Sequence, residues 1–419
     1  MPQVNDVRVK DVNCTFEDTP FRTPLKFGGR VVDGSQIVNV AVAVEAADGR
    51  RAVGQGSMPL GNVWGWPSPD VAPTDAAEAV RRLAESVSSW LASYPEAGHP
   101  LDVETDLEHA LEGLAAEVVA RLGLSEPMPR LMALVAASSV VAALHDAYGK
   151  VHDRSVYACY GPEFVHRDLS HYLTPEFEGE YLDRYVSPTP RPTLPLYHLV
   201  GAMDPLSAAD VARPIGDGLP ETLADWIDQD GLTHLKIKLS GDDPDWDARR
   251  VLDVDRIAEE AGRRRGTAGW RYSLDFNERC DRPEQVLDLF GRLRAESPRA
   301  LERIQYVEQP TARDLRAAPD VDMSRVAAVR PVVIDESLTG LDSLLLARDR
   351  GYSGVALKTC KGHGQALLMA AYARKHGLFL CVQDLTCPGA SFLHSAGLAA
   401  RIPGVEAIEG NGRQYCPAA

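Results

Sequence analysis

Five short apolar runs in the second half of the chain end on charged residues. THLKIKLS (233–240) carries Lys236 and Lys238, and RYSLDFNE (271–278) closes on Asp275 and Asn277. RIQYVEQP (303–310) closes on Glu308, PVVIDES (331–337) on Asp335, and GVALKTC (354–360) on Lys358, with Lys361 just beyond. One strand-end Asp is ordinarily a helix cap or a loop residue. Base, acid, acid, acid, base in consecutive runs is a pattern with chemical meaning. Three carboxylates aimed at one point repel each other unless a cation lies between them. Oxygen donors without His or Cys select a hard ion, Mg²⁺ before Mn²⁺. Such a shell leaves positions for water and for a substrate carboxylate. A lysine beside it is a useful base only if its pKa falls toward neutrality, which nearby positive charge and desolvation bring about. Lys236 and Lys238 are two residues apart and so share one face of a strand. Lys238, nearer the strand end, is the expected base. Lys236 is the neighbour expected to lower its pKa and to touch the substrate carboxylate.

The elements that must position these residues alternate. Three further strand-like runs, LPLYHLVG (194–201), LFLCVQD (378–384) and VEAIEG (405–410), complete a set of eight, with helical patterns such as ALLMAAYARKHG between them. Their spacing is near the ~30 residues of a βα unit, and eight such units predict a closed parallel barrel with its active site at the C-terminal strand ends. The chain divides into an α+β unit over 1–128 and a barrel unit over 129–410. The first holds the strand IVNVAVAVEA (37–46), a turn at Asp48-Gly49, a loop at 61–69 and helices near 75–94 and 107–123. The second opens with a small-residue, buried helix over 131–150 and carries an irregular insertion at about 160–193. The tail at about 411–419 is expected to pack on the first unit.

Composition narrows the partners. Lys and Arg number 44 against 60 Asp and Glu, a net charge of −16, which argues against nucleic acid or an anionic membrane as a partner. The longest nearly apolar stretch, Leu131 to Leu144, reads as too short to span a bilayer. Seven scattered cysteines with no CxxC pair, and no apolar signal core in MPQVNDVRVKD, predict a cytoplasmic protein with reduced thiols.

The motifs K-I-K (236–238), D-F-N (275–277), E-Q-P (308–310), D-E-S (335–337) and K-T-C-K-G (358–362), with AALHDAYGK (142–150) leading in, resemble the enolase superfamily in its muconate-lactonizing-enzyme-like subgroup. The resemblance implies a modified TIM barrel, (β/α)7β, with an N-terminal α+β capping domain, and a homo-oligomer. It implies that Asp275, Glu308 and Asp335 bind Mg²⁺ and that Lys238 and Lys358 are the acid/base pair. Two capping loops would close over the site, near 21–29 and 57–67. There Arg22 and Lys26 would meet an anionic group and Trp64 and Trp66 would wall the pocket. Asn277, Lys361 and Asp384 join Lys236 as further candidates to bind substrate. The chain departs from mandelate-racemase-like members at strand seven, where Gln383-Asp384 stand and no His does.

The expected reaction is removal of a proton α to a carboxylate of a small molecule, giving an enediolate held by the metal. Lysines on two faces favour an isomerase, either a racemase/epimerase or a cycloisomerase. One working lysine would suit a dehydratase of acid sugars or hydroxy acids. A Schiff-base lyase using Lys358 leaves the three carboxylates unexplained. A carboxylate-binding protein without catalysis leaves the lysine pair unexplained.

Overall fold

A computed structural model describes residues 3–27 and 30–417. Gly28 and Gly29 of the expected capping loop, and the last two residues of the tail, lie outside the described residues.

The N-terminal unit is an antiparallel sheet in the order β1 (Val7–Phe27), β2 (Arg30–Ala46), β3 (Arg51–Pro59). Along β2 the alternation of valines with polar or small residues buries Val38, Val40, Val42 and Val44. The segment expected as a loop at 21–27 is the far end of β1, so this arm is a long hairpin with a register shift between Pro20 and Leu25. Residues 61–69 hold a one-turn helix, Asn62–Gly65, inside the expected loop. Helices Pro73–Ala92 and Pro100–Leu122 follow, each with proline in its first turn.

The Arg130–Val151 helix lies against β2 and β3 and also meets the barrel at residues 359–375. Its Ala and Ser face lets the sheet come very close. A Cβ at Gly54 would stand 2.1 Å from the Ala143 carbonyl oxygen, and one at Gly56 would stand 1.8 Å from that of Ser139. The apolar stretch expected as too short to span a bilayer is part of this 22-residue helix, which is long and apolar enough to cross one by length and composition. It is enclosed by protein instead, because the sheet covers one side and the barrel another. Residues 156–195 are loops and single turns, as the Pro, Tyr and acid content suggests.

All eight predicted barrel strands form. They are β4 (Leu196–Val200), β5 (His234–Lys238), β6 (Arg271–Asp275), β7 (Ile304–Glu308), β8 (Val332–Ile334), β9 (Gly354–Leu357), β10 (Phe379–Val382) and β11 (Ile408–Glu409). They close into a barrel, β10-β11-β4-β5-β6-β7-β8-β9, with every pairing parallel. The chain is therefore a modified TIM barrel with a separate N-terminal α+β unit. The outer helices are built conventionally. Pro244–Arg265, for instance, has Asp243 accepting from the Trp246 N–H at its start and Gly266 in the left-handed region at its end. The Gly412–Tyr415 turn returns to β1, where Tyr415 packs with Phe21 and Leu25.

Candidate active site

Strand periodicity explains how the charged residues come together. Tyr197, Tyr306, Val333, Ala356, Cys381 and Ala407 form an apolar floor inside the barrel. Two residues further along each strand, toward its C-terminal end, stand Leu199, Glu308, Asp335, Lys358, Gln383 and Glu409. With a repeat of two, each of these shares its floor residue's face and points inward one layer higher. Lys238, Asp275 and Glu308 lie side by side in register on β5, β6 and β7.

Lys236 sits at the centre, with its ammonium 2.7 Å from Glu409, 2.8 Å from Glu308 and 3.1 Å from Asp275. Lys238 donates to Asp275 at 2.5 Å and to the Asn277 side-chain oxygen at 2.8 Å. On the opposite wall Lys358 is 2.8 Å from Asp335, and Lys361 binds the other oxygen of the same carboxylate at 3.0 Å. Gln383 donates to Glu308 at 2.6 Å. From the N-terminal unit, the Trp64 indole N–H donates to Glu336 at 2.9 Å, and its ring lies 4.7 Å from the Lys358 ammonium. Trp64 thus roofs the lysine wall and excludes water there.

The charges are unevenly balanced. Four buried lysines (236, 238, 358, 361) face six buried carboxylates (Asp275, Glu308, Asp335, Glu336, Asp384, Glu409), so the fully ionised set falls two positive charges short. Burial, with Asp275 beside it, pushes Glu308 up to about 8. Burial and Asp335 push Glu336 up to about 7, and burial and Glu409 push Asp384 up to about 7. At Asp275 and Asp335 burial also opposes ionisation, but the lysines on each overcome it and hold both below the usual carboxylate range. The expectation of a lysine brought toward neutrality is corrected at Lys358. Burial acts in that direction and is the largest single influence, yet Asp335, Glu308 and Glu409 together outweigh it and the ammonium is held above its ordinary value. Lys236 is likewise raised by Glu308, Glu409 and Asp275 against the effect of burial.

In its chemistry, though not in the spacing that the lysine pairs impose, the donor set fits a hard divalent cation. Its donors are carboxylate oxygens, and among the described residues Glu336 Oε2 and Gln383 Oε1 are buried without a hydrogen-bond partner. Here each acid is closed on a lysine or a neutral donor instead. Among the described residues no three His, Cys, Asp or Glu side chains stand close enough together to chelate one ion.

Of the other expected site residues, Lys26 lines a cavity of about 420 Å³ beside Lys238 and Asn277. Asp384 accepts from the Thr386 and Cys387 backbone N–H groups, shaping the turn after β10. Two are not brought to the site. Arg22 is tied to Asp217 at 2.5 Å and to the Leu219 and Pro220 carbonyls, because the long hairpin carries it past the barrel mouth to the 201–222 loop. Trp66 is buried in the N-terminal unit and donates to Glu126 at 2.5 Å, because the turn at 62–65 points it away from Trp64. Sequence reasoning passed over Glu409, Glu336 and Gln383. Glu409 ends the last strand as Glu308 ends its own, and the same strand-end rule finds it.

The profile of the enolase C-terminal domain-like family matches residues 218–414. No curated protein matches the sequence. Among solved structures, a substrate-liganded L-Ala-D/L-Glu epimerase from Bacillus subtilis superposes with a TM-score of 0.65 at 18% identity, covering 98% of this chain and 91% of that one. A dipeptide epimerase from Enterococcus faecalis V583, solved with Mg and the dipeptide L-Leu-L-Tyr, gives 0.61 at 14% identity, covering 98% and 92%. A muconate lactonizing enzyme from Pseudomonas fluorescens, complexed with muconolactone, gives 0.59 at 19% identity, covering 98% and 89%. Over residues 218–414, the barrel is similar to the enolase C-terminal domain-like family, and the solved structures above share the fold of the whole chain.

Proposed function

We propose that the protein is an isomerase that moves the proton α to a carboxylate of a small molecule, as a racemase or epimerase before a cycloisomerase. One observation carries this reading. Lys238 on β5 and Lys358 on β9 are four strands apart in an eight-strand barrel, and so face each other across the carboxylates. In one direction a neutral lysine takes the α-proton. The C–H bond breaks, its electron pair stays on the substrate, and that lysine becomes an ammonium. The opposite ammonium then gives a proton to the other face of the α-carbon. Lys236, held well above its ordinary value by Glu308, Glu409 and Asp275, keeps positive charge beside the carboxylates, and Trp64 lies over the Lys358 side. Both acting lysines are paired, Lys238 with Asp275 and Lys358 with Asp335. A hard divalent cation, Mg²⁺ before Mn²⁺, held by Asp275, Glu308 and Asp335 would take up carboxylate charge now paired with the lysines and would attract the substrate carboxylate.

The fold shared with dipeptide epimerases supports testing dipeptides first, then N-acyl amino acids and acid sugars. Incubation with Mg²⁺ in D₂O should place one deuterium at the α-carbon of an accepted substrate, read by mass spectrometry. Loss of water without α-exchange into recovered substrate would point to a dehydratase. We also assign the chain to the cytoplasm, in keeping with seven free cysteines, six of them buried.

A further inference from the structure

Behind the lysine wall a buried acid joins the two units. Glu104 belongs to the Pro100–Leu122 helix of the N-terminal unit and is 5% exposed. Its carboxylate reaches the barrel helix His363–Lys375, which starts directly after the Thr359–Lys361 turn. That barrel helix has no side-chain cap of its own. Glu104 supplies one from across the interface. Oε2 accepts from the Gly364 N–H at 2.8 Å, and Oε1 accepts from the Gln365 N–H at 3.1 Å. These are two of the N–H groups that a helix start leaves without an internal partner, and a carboxylate is the favoured group there.

The neighbours are fitted to this contact. A Cβ at Gly364 would stand 2.3 Å from Glu104 Oε2, and one at Gly362 would stand 2.6 Å from Oε1, so both positions need glycine while Glu104 is in place. His145 lies 3.0 Å from Oε2 and its other ring nitrogen 2.8 Å from the Tyr160 hydroxyl. Burial pushes His145 down to about 3, so the ring is neutral. With one ring proton, both contacts are satisfied when Nε2–H donates to Glu104 and Nδ1 accepts from Tyr160.

We propose that Glu104 is a positioning residue for Lys358 and Lys361, clamping the start of the His363–Lys375 helix and so fixing the turn that aims both lysines at Asp335. The N-terminal unit then does more than cover the barrel: it sets the geometry of one of the two proton-transferring walls. The inference rests on the reading of Lys358 as an acid/base group, but its structural half is independent of that reading. Lys238 stands on β5, across the barrel from the turn that Glu104 holds.

The test uses two variants that break the same contact from opposite sides. Glu104→Gln keeps the volume but leaves at least one of the three donors facing an NH₂ group. Gly364→Ala drives a Cβ against Oε2. In amide hydrogen exchange of the protein, each should speed exchange across 359–366 by at least about tenfold, the low end for one lost hydrogen bond to a charged group. Exchange at β10 (379–382) and in β2 should not change. In D₂O, with L-Ala-L-Glu and L-Ala-D-Glu as probes, both variants should slow wash-in for the stereoisomer that depends on Lys358 and leave the one that depends on Lys238 untouched. Lys238→Ala and Lys358→Ala establish which is which. Unchanged exchange at 359–366, or an equal loss for both stereoisomers, would overturn the inference. If the wild-type protein labels neither dipeptide, the dipeptide substrate reading falls, while amide exchange still decides whether Glu104 holds the turn.

Discussion

Replacing Lys236 by Met is the sharpest probe of how the site is held together. The methionine fills nearly the same volume but removes the ammonium that lies 2.7, 2.8 and 3.1 Å from Glu409, Glu308 and Asp275. The side chain is 2% exposed, so water cannot replace the lost charge. Breaking a buried ion pair by removing one partner costs ~3–5 kcal/mol, and three carboxylates share this partner, so the upper part of that range is expected. Acid offers an escape, because a protonated carboxylate needs no counter-charge. Glu308 has an ordinary value of 4.5 and already stands at about 8 with Lys236 present. A carboxyl raised in the folded state costs stability increasingly as pH rises above 4.5, until it ionises. In the wild type that cost levels off near pH 8. In the variant, where the folded value moves higher still, it continues to grow. The deficit of Lys236→Met should therefore be larger at pH 9 than at pH 6. Urea unfolding in EDTA, followed by circular dichroism at both pH values, reads it directly. Added Mg²⁺ should return part of the lost stability by supplying positive charge to the same oxygens. Equal wild-type and variant stability at pH 9 without metal would refute the reasoning, since Lys236 would then not be compensating those acids.

Other consequences follow from the same geometry. Chelation should abolish turnover and Mg²⁺ should restore it, with Asp275→Asn raising the Mg²⁺ concentration required; full activity in dialysed, EDTA-treated protein would remove the metal from the account. Trp66→Phe should cost about 1 kcal/mol of stability through the lost Glu126 contact and leave the reaction alone, whereas Trp64→Phe, which removes the N–H to Glu336, should lower turnover; thermal melts and rate measurements on the two variants separate these roles. Burial pushes His99 and His145 down to about 3 from 6.5, so below pH 6.5 the unfolded chain takes up protons that the folded one refuses. Each should therefore remove up to about 1.4 kcal/mol of stability per pH unit between pH 6.5 and 3, seen as a falling urea midpoint at pH 7.5, 6.5 and 5.5; a flat midpoint would mean that these rings are not buried in the neutral form.

The barrel was legible because its signal is local. Each strand is a short apolar run of its own, and the chemistry stands at the run's end, where residue spacing alone determines which side chains point inward. Asp275, Glu308, Asp335, Lys238 and Lys358 are singled out that way and converge in the barrel mouth, and Glu409, which the reading passes over, obeys the same rule. The N-terminal unit was harder because its contributions depend on direction over long distances. Arg22 and Lys26 are four residues apart on one hairpin arm, yet Arg22 is drawn to Asp217 while Lys26 lines the cavity beside Lys238. Trp64 and Trp66 are separated by one residue, and a single helical turn at 62–65 sends one into the site and the other into the core. The protonation of the lysines was also out of reach. Two lysines two residues apart suggest mutual repulsion, but in three dimensions Lys236 and Lys358 each acquire carboxylates that together outweigh desolvation. The Glu104 clamp joins residues 260 positions apart and leaves only two glycines near Lys361 as its trace in the sequence.

The most direct test of the two-lysine account is single-stereoisomer deuterium wash-in with Lys238→Ala and Lys358→Ala, each assayed with Mg²⁺ on a substrate that the wild-type protein epimerises. Because the two side chains face opposite sides of the barrel, each variant should lose net isomerisation by at least about 10²-fold. Each should still exchange the α-proton of one stereoisomer, and the two variants should retain opposite ones. If either variant isomerises at the wild-type rate, or if both lose exchange with the same stereoisomer and keep it with the other, the assignment of Lys238 and Lys358 as facing acid/base groups is wrong.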